Sequence, residues 1–106
     1  MSNEDLIKVL RGIQFIVINN CYGGFGLSDQ AELRYKEMAG IKDPDWYGRE
    51  IPRDDPYLVQ IVRDMGMSAN GAHADLKIVE VPGDVDWQIE EYDGNEWVAE
   101  KHRTWR

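Results

Sequence analysis

Apolar and polar positions along the chain mark out seven segments. Near the start, Leu6, Val9 and Leu10 fall on one face of a helical turn pattern, behind Ser2 or Asn3 as a cap, and Gly12 ends that helix. Gln14 to Asn19, "QFIVIN", is a continuous β-branched run without polar alternation, which predicts a buried strand. Ser28 is placed to cap a second helix, with Asp29 favourable in its first turn. Ala31, Leu33, Tyr35 and Met38 form an imperfect inner stripe, and Gly40 suits the end of the helix. Asp55-Pro56 reads as the cap and first position of a third helix. Leu58, Val59, Val62 and Met65 form its inner face, and Gly66 ends it.

Three strands follow: "DLKIVEV", then "VDWQIEEY" after a Pro-Gly-Asp turn, then "EWVAEKHRTW". Asp93-Gly94 between the last two is a hairpin signal. Pairing Tyr92 with Asn95 would oppose Glu91 to Glu96, which repel, so the register expected here pairs Tyr92 with Trp97. Helix, strand, two helices and a meander together predict an α+β fold, with a mainly antiparallel four-stranded sheet and two to three helices on one face. One domain spans 1–106. It divides into an N-terminal helix (1–12), a strand, glycine loop and helix (13–40), a connection and helix (41–72) and the meander (73–106).

Composition changes this picture little. The chain has 106 residues, 42% of them hydrophobic, enough for one modest core. Its net charge of −8 opposes general attraction to nucleic-acid backbone. An acidic surface serves solubility, or it imitates nucleic acid and occupies a basic groove on another protein. The sequence holds no apolar run long enough to cross a membrane, and its first residues lack the pattern of a secretion signal. The single cysteine, Cys21, is expected as a small buried thiol in a reducing cytoplasm.

The loop "CYGGFGLS" carries the most suggestive chemistry. It joins a buried strand to a helix start, where free N–H groups favour an anion. Gly23, Gly24 and Gly26 could form a nest for phosphate or carboxylate, with Tyr22 and Phe25 supplying aromatic faces and Ser28 the helix start. The alternative is a tight turn that pins Phe25 and Leu27 in the core. Neither the P-loop nor the dinucleotide fingerprint is met: no lysine stands in the loop, and position 29 is Asp.

A second cluster lies at the end of the chain. Lys101, His102, Arg103 and Trp105 suit a nucleotide, with cations for phosphate and an indole for the base. Alternation on a strand would put Lys101, Arg103 and Trp105 on one face. The plainer alternative is that these cations neutralise Glu90, Glu91, Glu96 and Glu100. His102-Arg103-Thr104 also fits the His-x-Thr pattern of two-histidine phosphoesterases, but the only other histidine, His73, lacks the hydroxyl partner. A metal site of His73, His102 and acids has no supporting spacing, so no metal and no cofactor is expected.

"INNCYGGFGLSDQAELRY" and "WQIEEYDGNEWVAEKHRTW" resemble a group of small proteins encoded by bacteriophages and other large DNA viruses. The middle, 41–72, matches less clearly. The resemblance implies a viral protein acting in host cytoplasm, with no transferable catalytic residues. Small accessory phage proteins often counter host defence as signal sponges or as blockers of a defence enzyme. The first expectation is therefore a non-enzymatic binding protein that sequesters a nucleotide-like signal. Its glycine loop and C-terminal cations would converge, in one chain or across a homodimer, with Arg34, Arg49 or Arg53 closing the site. The second is an acidic inhibitor that plugs the basic groove of a host nuclease. The third is a phosphoesterase working through His102.

Overall fold

The computed structural model describes residues 12–46 and 51–101. Strand β1 (Ile13–Asn19) leads to helix α1 (Asp29–Ala39) and helix α2 (Pro56–Met65). A 3-10 turn, Gly66–Ala69, follows α2, and then come β2 (Leu76–Pro82), β3 (Trp87–Tyr92) and β4 (Asn95–Glu100). The fold is α+β. The helix expected within 1–12 lies outside the described residues.

Local signals set the helix boundaries. The Ser28 hydroxyl accepts the Ala31 N–H at the start of α1, and Gly40 takes the left-handed conformation at its end. The Asp55 carboxylate accepts the N–H groups of Tyr57 and Leu58 ahead of Pro56. The same carboxylate accepts the Tyr35 hydroxyl at 3.0 Å, which ties α1 to the start of α2. Tyr35 also stacks on Trp46 with ring centroids 5.3 Å apart, and this holds part of the long connection against the helices. Leu33, placed on the inner stripe of α1 by sequence, is instead exposed.

The sheet differs from expectation. The four strands form two antiparallel pairs, β1–β2 and β3–β4, rather than one four-stranded sheet. In the first pair Ile13 lies opposite Pro82 and Asn19 opposite Leu76. The reason is in β1 itself, where Ile16, Val17 and Ile18 are all buried. Successive side chains point to opposite faces, so both faces of the β1–β2 pair need cover. On one face Phe15, Val17, Leu76 and Ile78 pack against α1 and α2. On the other, Ile16, Ile18 and Val81 pack against Trp87, Ile89 and Val98 of the hairpin. A hairpin added at the sheet edge would have left that second face in water. The molecule is therefore three-layered: helices, the β1–β2 pair, and the β3–β4 hairpin. The core lies on both sides of β1.

The hairpin register also differs. Tyr92 pairs with Asn95, and Glu91 lies opposite Glu96. Asp93 (φ 49°) and Gly94 (φ 87°) form a two-residue turn with both central residues at positive φ, which matches strand twist. The expected repulsion is relieved because the two carboxylates sit in different surroundings. Glu91 stays in water, whereas Glu96 is buried against Arg53.

Candidate functional site

The glycine loop leaves β1 at Asn19 and is held by three other parts of the chain. The Gly23 N–H donates to the Asp93 carbonyl at 3.1 Å, and the Ser28 N–H donates to the Ala69 carbonyl at 2.9 Å. The Ser28 hydroxyl donates to the Ser68 carbonyl at 2.7 Å while it caps α1. The Gly71 N–H donates to the Gly26 carbonyl, and Leu27 bridges Asn70. Leu27 is buried and Phe25 half-buried against the helical core. Two of the amides proposed for an anion, those of Gly23 and Ser28, thus serve the protein's own carbonyls.

Backbone crowding explains part of the glycine content. A Cβ on Gly94 would stand 2.4 Å from the Gly24 nitrogen, and one on Gly23 would stand 2.5 Å from the His73 carbonyl oxygen. The hairpin turn therefore rests directly on the Gly23–Gly24 backbone, with no room for a side chain at the contact. Gly23 also sits at φ +129°.

Beneath this contact lies a polar hub. The Arg53 guanidinium holds both Glu96 carboxylate oxygens, one through Nη2 at 2.9 Å and the other through Nη1. The same guanidinium stacks 3.6 Å from the centre of the Phe25 ring. Glu96, 7% exposed, also accepts the Asn19 N–H at 2.8 Å. The Asn19 side chain donates to the Cys21 and Gly94 carbonyls and accepts the Asp75 N–H. One buried asparagine thus fixes β1, the glycine loop, the start of β2 and the hairpin turn. A satisfied network of this kind rigidifies its surroundings.

Of the three arginines expected to close a pocket, Arg53 reaches the loop but its charge is bound to Glu96. Arg34 pairs with Asp64 at 3.2 Å, and Arg49 lies outside the described residues. Cys21 is half-buried rather than buried, its thiol 3.5 Å from the Asn19 and His73 oxygens. His73 is exposed. Among the described residues no group of three or more His, Cys, Asp or Glu side chains is placed to hold a metal ion. No helix there is long and apolar enough to cross a membrane.

The C-terminal cluster is met only at its start. Lys101 follows the last residue of β4 and donates its N–H to the Asp86 carbonyl at 2.9 Å. His102, Arg103 and Trp105 lie outside the described residues. Gly94 touches the glycine loop, and β4 runs away from it, so Lys101 stands at the other end of the strand, roughly 20 Å off. The described residues do not bring Lys101 to Tyr22, Gly24, Phe25 or Gly26.

Sequence reasoning missed the outer face of the hairpin. Cross-strand pairing puts Gln88, Glu90, Tyr92, Trp97 and Ala99 on the side away from β1. Tyr92 is 67% and Trp97 44% exposed, and Tyr22, also exposed, flanks the same turn. Between Lys77 and Lys101 the sequence has eight acidic residues and no Lys or Arg. Of these eight, Glu96 is held in an ion pair with Arg53. The signal was available as a cation-free stretch, but only the register shows which of its residues share the outer face.

No protein family, curated protein or solved structure matches the chain.

Proposed function

We propose that this is a protein-binding module whose acidic, aromatic hairpin face docks on a basic surface of another protein. The exposure of Tyr92 and Trp97 beside Glu90, in a layer without cations between Lys77 and Lys101, carries the reading. Large aromatic side chains anchor protein interfaces, and carboxylates around them steer a cationic partner and select against acidic ones. In the viral setting implied by the sequence resemblance, the partner is a host defence nuclease whose nucleic-acid groove the hairpin blocks. No bond is made or broken by the module.

Capture from host lysate on immobilised protein tests this. The expected result is one retained basic protein, released as salt rises, whose nuclease activity falls when the module is added. A Tyr92→Ala, Trp97→Ala double variant keeps its melting temperature and loses the partner. Retention that is unchanged in the double variant would exclude the hairpin face.

Sequestration of a nucleotide-like signal is less well supported. It needs the glycine loop and the C-terminal cations to share a site, in one chain or across a homodimer; within one chain Lys101 lies at the far end of β4, and His102, Arg103 and Trp105 lie outside the described residues. Calorimetry with cyclic nucleotides and ADP-ribose derivatives separates the two readings. Heat from a folded sample would favour sequestration, and its absence would favour protein docking.

A further inference from the structure

The other end of β1 carries a feature that the hairpin face does not use. The Asn20 N–H and the Gly12 carbonyl bond to residues flanking β2, at Asp75 and Gly83. Even-numbered positions of β1 therefore turn their peptide groups toward β2. Odd-numbered positions turn theirs to the opposite edge. On that edge the Val17 N–H donates to the Arg53 carbonyl and the Val17 carbonyl accepts Arg53 Nη1. The Asn19 N–H goes to Glu96. Among the described residues, the peptide groups of Ile13 and Phe15 have no partner there.

This open edge borders a groove of about 380 Å³, walled by Val59, Gln60 and Arg63 of α2. The Arg63 guanidinium stands 5.0 Å from the centre of the Phe15 ring. Within the described residues Arg63 forms no ion pair, whereas Arg34 and Arg53 each hold a carboxylate. A guanidinium that holds no carboxylate among the described residues, in a chain with 20 acidic residues and 12 Lys and Arg, is suited to receive an anion. Unsatisfied strand donors and acceptors beside it call for an extended backbone.

We propose that this groove binds an extended peptide segment of another protein, which adds as a strand to the Ile13–Phe15 edge of β1 and sets an Asp or Glu side chain on Arg63. Main-chain bonds to Phe15 give affinity, and side-chain pockets give specificity. Phe15 and Ile13 share the face that meets α2. The acidic residue opposite Phe15 is therefore followed or preceded, two positions along, by an apolar residue packed on Ile13 and Val59. Arg63 rises from the helix side of the sheet, so it meets a side chain rather than a chain end. Asp54 also lines the groove and selects against a second acidic residue in the peptide. A space this size between the edge and α2 takes one strand and leaves no room for a second folded copy with its own helix.

The test uses the full chain, immobilised, and a library of short peptides randomised at every central position. The expected selection is Asp or Glu two positions from a β-branched or aromatic residue. A selected peptide added to 15N-labelled protein shifts the Ile13 and Phe15 amides. Arg63→Gln weakens its binding about tenfold, the loss of one charge-assisted contact. N-methylation of the peptide nitrogen that faces Phe15 removes binding. Should Arg63→Gln fail to fold, Arg63→Lys, which keeps the charge but loses the planar two-pronged donor, serves in its place with a smaller loss in the same direction. No enriched peptide, or binding that leaves the Phe15 amide unmoved, overturns the proposal. Concentration-dependent shifts of Phe15 without any peptide would assign the edge to a second copy and overturn it equally.

Discussion

The two ends of β1 differ in how their polar groups are satisfied. At the Asn19 end the backbone and side-chain amides meet Glu96, Cys21, Gly94 and Asp75, and the glycine loop is locked under the hairpin turn. At the Ile13 end the outward peptide groups of Ile13 and Phe15 face a groove, and Arg63 stands over it unpaired among the described residues. The glycine-rich end draws the eye in sequence, yet much of its backbone is turned to the protein's own use. In the plain-looking end, "GIQF", the outward peptide groups of Ile13 and Phe15 have no partner among the described residues. A glycine cluster signals that backbone approaches something closely, and here the approaching group includes another stretch of the same chain.

Substitutions should separate the two ends by size of effect. The largest is expected for Gly94→Val. Its Cβ would overlap the Gly24 nitrogen, and its φ of +87° is strained for a β-branched residue. A loss of more than about 3 kcal/mol by urea denaturation is the expected outcome. A loss below about 1 kcal/mol would mean that the turn does not rest on the loop.

Arg53→Ala comes next. It leaves the Glu96 carboxylate buried without its cation, and a destabilisation of about 3 kcal/mol follows. Replacing both partners, as Arg53→Met with Glu96→Leu, should recover much of that loss, because the penalty lies in the unpaired charge. A double variant no more stable than Arg53→Ala would show that the pair is not the source of the effect.

Tyr35→Phe tests the helical layer, with an expected loss of about 1 kcal/mol at neutral pH from the missing bond to Asp55. Burial, with the Asp55 carboxylate beside it, pushes the Tyr35 hydroxyl up to about 12 from its ordinary 10. The neutral hydroxyl is favoured in the fold, so its contribution is complete below pH 10. It fades as pH rises through about 12. Stability of the parent protein should fall more steeply across that window than stability of Tyr35→Phe. Parallel curves would remove Tyr35 from the account.

The smallest effect is at the open end. Arg63→Gln should change stability by no more than about 0.5 kcal/mol, since the side chain is exposed and holds no carboxylate in the described structure. A drop of roughly 2 kcal/mol or more, the cost of a lost buried contact, would make Arg63 a structural residue and end the contrast between the two ends.

Legibility followed the range of the interactions. Ser28, Gly40, Asp55-Pro56 and Gly66 act within a turn of where they stand, and the sequence placed them all. Asp93-Gly94 marked the hairpin, but the register went to Tyr92–Asn95 because Arg53, 43 residues from Glu96, removes the repulsion that had argued against it. Asn19 gave no sign of its role. Its carboxylate partner lies 77 residues away, and nothing near it in sequence predicts that meeting. Of the expected site residues, Tyr22 to Ser28 lie together on one loop, as contiguous sequence requires, while Lys101 stands apart at the end of β4.

By itself the sequence determined the elements between Ile13 and Glu100, their helix caps and hairpin turn, the α+β class and the acidity of the last strands. These depend on side-chain periodicity, backbone preference and composition, which are properties of a few neighbours at a time. Only the tertiary structure decided that the hairpin covers the second face of β1 instead of widening its sheet. The same packing set Glu96 on Arg53, laid Gly94 on Gly24, and left the Phe15 edge open beside Arg63. Each of those outcomes depends on which distant surfaces meet, because burial on both faces of one apolar strand has to be satisfied by the chain as a whole.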